Sequence, residues 1–303
     1  MSKLDITTLI LTYNEERHIQ RCLENTCPIS ERVIVVDCFS TDKTVEICRR
    51  FENVEVVQHA WPGNQAMQFN WALDNLQINT EWILRLDADE YLLPELVAEL
   101  EEKLPTMPQR ISALSLSLAR AYGGKRLKHG VANSVNIVRI FRKGKARYEQ
   151  RIMDEHLQIL EGEVLQMKHQ FIDDNRISIH QFTTKHNNYA AREATLLLDA
   201  EFGLTNSAQD ETTEYSASVQ KKREQKARYA RMPLYWRALF YFLYRYFFKL
   251  GFLDGREGFE YDFFQGLWYR MLVDAKVAEV RKACGSDKAK IREYIRVEFG
   301  ITI

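Results

Sequence analysis

Hydrophobic positions in the first hundred residues alternate between two kinds of pattern. Four short, nearly continuous apolar runs stand out: Asp5–Thr12 (DITTLILT), Arg32–Cys38 (RVIVVDC), Val54–Gln58 and Thr80–Leu86. Their length and β-branched content predict strands, and the unbroken runs predict strands buried on both faces. Between them the spacing turns helical. Glu15–Asn25 carries Ile19, Cys22 and Leu23 on one face, and Ser40, Thr41 and Asp42 supply a start for a helix over Lys43–Phe51. Asn64–Leu76 is a third helix, entered through Pro62-Gly63, and Pro94 sits where the first turn of a fourth tolerates it. Strand and helix in alternation, with crossovers of this length, predict an α/β domain with a mainly parallel sheet. Ligands of such sheets bind beyond the carboxyl ends of the strands. The polar residues collect there: Thr12, Tyr13 and Asn14 after the first strand, Asp37 after the second, Asp87 and Asp89 after the fourth.

The pattern changes after Pro105 and Pro108. Ser112–Arg120 alternates like a half-exposed strand, and Asn136–Phe141 and Val164–Phe171 follow it, so a more antiparallel extension of the sheet is expected. From Lys185 the chain reads helical almost to its end, interrupted by the polar stretch 205–220. Segment 221–255 is basic at first and then crowded with aromatics. Its apolar run falls short of the roughly 20 residues a membrane span needs. It suits an amphipathic helix at a membrane surface, with Lys and Arg near anionic lipid, or a helix packed on the rest of the protein or on a second subunit.

Composition narrows the picture. The 303 residues hold 42 basic and 42 acidic side chains, a balance that excludes a protein built to coat nucleic acid. The five cysteines are odd in number and none are spaced as CxxC, which argues against a disulfide framework or zinc site and for a reducing compartment. The opening MSKLDITTLILTYNEE lacks an apolar stretch of signal-peptide length. The expected location is cytoplasmic, peripheral at the inner face of the cytoplasmic membrane.

In 81-EWILRLDADEYLLPELVAEL-100 a buried strand ends in clustered carboxylates: Asp87, Asp89 and Glu90. Like charges this close repel. At a turn both aspartates can approach one hard cation, Mg2+ or Mn2+, which takes carboxylate and phosphate oxygens. The bland alternative is an acidic turn that caps the next helix. Asp37 can accept from a ribose hydroxyl or a base N–H, or serve as a satisfied turn aspartate. Asp42, at a helix start, is structural.

The ordered set TLILTYNEE, VIVVDCFSTDKTVEI, a Pro-Gly-Asn-Gln turn and WILRLDADE resembles family 2 glycosyltransferases with the GT-A fold. The resemblance is closest to bacterial enzymes of lipopolysaccharide-core or related surface-glycan synthesis and covers the first hundred residues; Cys38 stands where a serine is usual. It implies a Rossmann-like, mostly parallel catalytic domain over residues 1–184, with a nucleotide-sugar half (1–110) and an acceptor half (111–184). A helical C-terminal region would follow over 185–303. It implies that Thr12, Tyr13, Glu15 and Asp37 line the nucleotide pocket, with Gln65 and Asn70 bordering it. Asp87 would face the ribose or sugar, and Asp89 would hold the metal.

Family 2 enzymes invert the anomeric centre, so a base is needed opposite the leaving diphosphate. Glu155, in 152-IMDEHL-157, matches the glutamate of the family's HE-like motif, with Asp154 as the second candidate. In 177-ISIHQFTTKHNNYAAREA-194, His180 would complete the metal shell and Lys185 would neutralise phosphate. Arg139 and Arg142, read as alternating on one strand face, fit phosphate binding or an exposed edge. The implied partners are a nucleotide-sugar donor, a UDP-sugar or similar, and a glycan or lipid-linked acceptor; an oligomer is compatible with the sequence. The rivals are a polyprenyl-phosphate glycosyltransferase, a catalytically silent glycan- or membrane-binding scaffold, and a nucleotidyltransferase. The last would need a Gly-rich basic loop after the first strand, and TYNEERH is not one.

Overall fold

The computed structural model describes residues 3–130, 135–149, 157–205 and 228–303. The chain forms two compact units, one of Met1–Lys128 and Ala132–Arg176, the other of His129–Val131 and Ile177–Ile303.

In the first unit the apolar runs become parallel strands: β1 (Leu4–Thr12), β2 (Ser30–Asp37), β3 (Val54–Gln58) and β4 (Trp82–Asp87). The remaining strands are β5 (Glu90–Leu92), β6 (Ile111–Tyr122), β7 (Lys125–Arg126), β8 (Val135–Arg142) and β11 (Glu163–Asp173), with a separate pair, β9 (Ala146–Tyr148) and β10 (Leu157–Ile159). The sheet runs β3-β2-β1-β4-β8-β6-β11-β5, with β7 beside β6. From β4 onward β8 pairs antiparallel on both sides, β6 and β11 pair parallel, and β5 closes antiparallel. The expected antiparallel extension is therefore a mixed one.

Helices cover both faces, which is why the strand runs are continuous rather than alternating. On one face Ile6 and Ile10 pack with Ile19 and Leu23 of α1 (Ile19–Thr26) and Leu96 and Leu100 of α4 (Pro94–Lys103). On the other Leu9 and Ile34 pack with Ala66 and Phe69 of α3 (Gln65–Asn75). Asn64 caps α3 by accepting from the Met67 amide at 2.7 Å. The second helix, α2 (Thr44–Cys48), is shorter than the expected Lys43–Phe51, because its last residues tighten into turns, with the Arg50 and Phe51 amides donating to the Ile47 and Cys48 carbonyls (3.1 and 3.2 Å); Asp42 precedes it and accepts from the Thr44 amide and hydroxyl (2.9 and 2.5 Å).

Arg142 corrects the reading of β8. β8 is no exposed edge: it lies between β4 and β6, and its pairing with β6 skips Arg139, with Leu114 opposite Ile140 and Ser115 opposite Val138, a bulge that breaks the strand's alternation. Arg142 is buried, donates to the carbonyls of Ile111 (2.8 Å) and Met107 (3.0 Å) and to Glu81, and lies 4.3 Å over the Trp82 ring.

The second unit is helical. Its long helix α5 (Ile179–Phe202) begins ahead of the expected Lys185, because Ser178 and Gln181 form a reciprocal capping box. Ala190, Ala194 and Leu198 of α5 pack with Val273, Val277 and Val280 of α8 (Tyr269–Cys284). Between them lie α6 (Trp236–Leu243) and α7 (Gly255–Tyr261), and α9 (Lys288–Tyr294) closes the chain. Gly251 is required where it stands. A Cβ there would lie 2.1 Å from the Asp262 carboxylate and 3.1 Å from the Arg245 carbonyl. Gly251→Ala is expected to cost the second unit about 1–3 kcal/mol, as overpacked cores do. Denaturant unfolding measures this, and an unchanged midpoint would show that Asp262 does not occupy that space.

Candidate active site

The loops that leave β1 and β2 are joined by side chains. Asp37 is wholly buried at the end of β2. Its carboxylate accepts from the Thr12 hydroxyl (3.0 Å), the Ser40 amide (2.9 Å) and hydroxyl (2.5 Å), and Gln58 (3.4 Å). Four donors occupy a carboxylate's acceptor sites, so Asp37 faces protein and fixes both loops, the satisfied-turn role. Asn14 takes a positive φ of 57° and accepts from the Thr41 amide at 2.8 Å, while its own amide donates to Ser40 Oγ. Phe39 also has a positive φ, 58°. These two turns leave the rings of Tyr13 and Phe39 more than half exposed at adjacent strand ends.

The end of β4 carries the charge. Asp87 accepts from Arg85 and from Arg139, both at 3.3 Å, and its amide donates to Glu90 at 3.0 Å. Burial alone would raise the Asp87 pKa, but the two guanidiniums outweigh it and hold the carboxyl below its usual range. Arg139 is not a pocket residue. It is 4% exposed, bound to Glu90 and Asp87, with its guanidinium 5.3 Å over the Phe171 ring. Burial disfavours its charge, and Glu90 and Asp87 more than restore it. Asp89 is different. Burial first, then the charges of Asp173, Asp87 and Glu15, push its pKa up to about 6. Asn175 donates to its Oδ2 at 2.9 Å.

A second set of contacts supports Asp89 from α1. Arg21 binds the Asp89 carbonyl (3.2 Å), the Asp174 carbonyl (2.8 Å) and the Asp174 carboxylate. The Asp174 amide donates to the Asp89 carbonyl at 3.0 Å. His18 is buried; its Nδ1 faces Glu15 at 2.6 Å and its Nε2 accepts from the Arg176 amide at 3.0 Å. An Nε2 that accepts fixes the proton on Nδ1, so a neutral imidazole donates to Glu15.

Gln65 reaches the same cluster: Arg85 donates to its Oε1 at 3.3 Å and also to the Tyr148 hydroxyl. Asn70 does not. It is 3% exposed, donates to the Tyr148 carbonyl (2.9 Å) and accepts from the Tyr148 amide (3.0 Å). Its amide is spent on joining α3 to β9, so its expected place beside the pocket is replaced by a structural one. His180 and Lys185 are exposed on α5 in the second unit, with Lys185 Nζ 5.9 Å from the Tyr189 ring. Glu155 and Asp154 lie outside the described residues. Among the described residues no three His, Cys, Asp or Glu side chains are grouped to hold a metal. The sequence reading missed Arg85, Arg21 and His18. Arg85 was within reach of it, since strand period two sets residues 85 and 87 on one face.

Residues 7–113 match the family model Glycosyl transferase family 2. The chain is 33% identical over 148 residues to an uncharacterized glycosyltransferase of Rickettsia typhi, covering 48% of this chain and 49% of that one. It is 27% identical over 158 residues to the lipopolysaccharide core biosynthesis glycosyltransferase LpsC of Rhizobium meliloti, covering 48% and 54%. The chain thus spans about half the length of the curated relatives it matches. The crystal structure of S. aureus TarS 1-349 aligns over 97% of this chain and 91% of that one, at 15% identity and a TM-score of 0.45, a likeness that carries no argument.

The raised pKa of Asp89 has a consequence for stability. Its ordinary value is 3.8, so the folded chain binds this proton more tightly than the unfolded chain does. Stability therefore falls as pH rises from about 4 to about 6, and above that the anion costs the fold about 2–3 kcal/mol. Asp89→Asn, in EDTA, is expected to resist denaturant better than the parent near neutral pH, with the difference gone at about pH 4. Equal stability at both pH values would show that the carboxylate is not strained.

Proposed function

Because residues 7–113 match the family model Glycosyl transferase family 2, we propose that the chain moves a sugar from a nucleotide-diphosphate donor, a UDP-sugar, to a hydroxyl of a glycan or lipid-linked acceptor. The product belongs to lipopolysaccharide or a related surface polysaccharide, in keeping with the named role of the Rhizobium relative. The observation that carries this reading is Asp89: a carboxylate at a parallel-strand end, raised to about 6 among Asp173, Asp87 and Glu15. A group left so unfavourably charged suits a cation, and Mg2+ or Mn2+ accepts one or two carboxylates together with phosphate oxygens. When bound, such an ion would offset the charge of the departing diphosphate.

The chain's own residues do the rest. Arg85 and Arg139 keep Asp87 ionised and immobile, ready to accept from ribose or sugar hydroxyls. The exposed Tyr13 ring offers a stacking surface for a base, with Thr12 and Glu15 beside it and Asp37 holding Thr12 from behind. Gln65 borders this cluster through Arg85. Lys185 for phosphate and His180 for the metal shell stay in the reading on their sequence match. Glu155, with Asp154 as second choice, takes the acceptor's proton as its oxygen attacks the anomeric carbon. The bond from that carbon to the diphosphate oxygen breaks, the diphosphate leaves with the electron pair, and the centre inverts. The work is done at a membrane surface, with the chain attached peripherally; no helix of the described residues is long and apolar enough to cross a membrane.

Calorimetric titration with a panel of nucleoside diphosphates, with and without Mn2+, tests this. One diphosphate should bind only with the ion, and Asp89→Ala should weaken it at least about tenfold, the loss of one charged ligand. No binding under any condition would overturn the reading. Glu155→Gln should keep that binding and slow transfer by about 10²–10⁴; unchanged transfer would point to an acceptor that is already an anion, such as a polyprenyl phosphate.

A further inference from the structure

Helix α6 and the turns after it are built inside out. A helix on the surface of a protein normally points apolar residues inward and charges outward. Here the cations point in. Arg237 is 3% exposed, and its Nε donates to Asp274 of α8 at 2.8 Å. Arg245, in the π-helical turn Tyr244–Phe248, is 6% exposed, and its Nε donates to Asp262 at 2.8 Å. The rings point out. Trp236, Phe240, Tyr244, Phe247 and Phe248 recur three or four residues apart, the spacing of one helix face. All five are exposed, Phe248 at 79%. Phe252 and Leu253 extend the same exposed run.

Charge is as one-sided as polarity. Between Arg228 and Arg256 the sequence has six cations and one carboxylate, Asp254. That carboxylate is buried, accepts from the His129 amide at 2.8 Å and faces His129 Nδ1 at 3.0 Å. The exposed charges of the stretch are Arg228, Arg231, Lys249 and Arg256; Arg256 is answered by Glu260 just beyond, Nε to Oε1 at 2.7 Å, which leaves Arg228, Arg231 and Lys249 as the cations of this face.

We propose that this face seats the protein on an anionic lipid surface, with the rings at the level of the headgroups and Arg228, Arg231 and Lys249 against their phosphates. Tyr and Trp favour that interfacial depth. Each Lys or Arg near an anionic leaflet adds attraction that salt weakens. A second copy of the chain is the poorer occupant. A two-fold contact would set this face against itself, bringing Arg228, Arg231 and Lys249 towards their own copies. The inference rests on the peripheral attachment proposed above and is independent of sugar transfer.

The test is sedimentation of the full chain with vesicles of phosphatidylcholine alone and of phosphatidylcholine with phosphatidylglycerol. Binding is expected to the second kind, at least about tenfold tighter than to the first and weaker in high salt, with a blue shift of tryptophan emission. Phe248→Ser and Lys249→Glu change positions that are already exposed, so the fold is retained. Each should weaken vesicle binding about tenfold while nucleotide calorimetry stays at the parent's result. Failure to bind anionic vesicles, or binding that neither variant weakens, overturns the proposal. So does a concentration-dependent dimer by light scattering that Phe248→Ser dissolves while vesicle binding is kept. Nucleotide binding is read separately, so loss of this inference and loss of the transfer reading are told apart.

Discussion

The charge cluster at the end of β4 is the constraint that organises the first unit. Three carboxylates, Asp87, Asp89 and Glu90, stand within four residues, and their mutual repulsion has to be met. Two of them are met internally: Arg139 lies between Glu90 and Asp87, and Arg85 takes the other side of Asp87. Arg139 comes from β8, which pairs antiparallel beside β4, so the register of the mixed half of the sheet delivers the counter-charge. Among the described residues Asp89 has no guanidinium on its carboxylate, and burial with the neighbouring carboxylates pushes its pKa up to about 6; Glu90, although Arg139 holds it, is pushed by its deeper burial up to about 8. Arg85 and Arg139 thus hold Asp87 and Glu90 in place, while Asn175 meets the Asp89 carboxylate.

The surrounding contacts serve that division. Arg21 grips the Asp89 carbonyl and Asp174, so the backbone that carries the carboxylate is fixed from α1 and from the end of β11. Asn70 fixes Tyr148, whose hydroxyl receives Arg85, which in turn steadies Asp87. Asp37 performs the same service for Thr12 and Ser40. Preorganisation of this kind matters when a reaction depends mainly on position and field, because nothing then has to reorganise during the step.

What the sequence disclosed and what it hid follow from range. The parallel half of the sheet was legible because buried strands and amphipathic helices write their periods locally, and the strand ends drew attention to Asp87 and Asp89. The capping box Ser178-x-x-Gln181 was equally local and was overlooked, which put the start of α5 too late. Arg139 was noticed for its charge and assigned to phosphate, since its true partner, Glu90, is 49 residues away and no local rule pairs them. Arg142 was read as the exposed side of an edge strand, and no local pattern shows that β8 lies inside the sheet, where the Ile111 and Met107 carbonyls and Glu81 take up its donors. Asn70 shows the opposite limit. A polar residue on a helix beside a ligand-binding strand end looks like a ligand contact until the backbone it completes, 78 residues on, is in place.

The aromatic segment makes the same point about polarity. Its sequence suggested a helix whose arginines face lipid headgroups, because arginine among aromatics is ordinarily the wet side. The structure inverts this for Arg237 and Arg245, since their counter-ions, Asp274 and Asp262, come from downstream helical turns. Burying an ion pair of this kind seldom gains stability over apolar packing. Nine aromatic side chains lie between Tyr235 and Phe248, more than enough to have filled that interior. A chain that places guanidinium–carboxylate pairs inside and leaves phenylalanine, tyrosine and tryptophan outside has not run short of apolar side chains for its core. The buried arginines anchor the helix to Asp274 and Asp262 while Trp236, Phe240, Tyr244, Phe247 and Phe248 stay on the outer surface, and it is this inversion on which the proposed lipid contact rests.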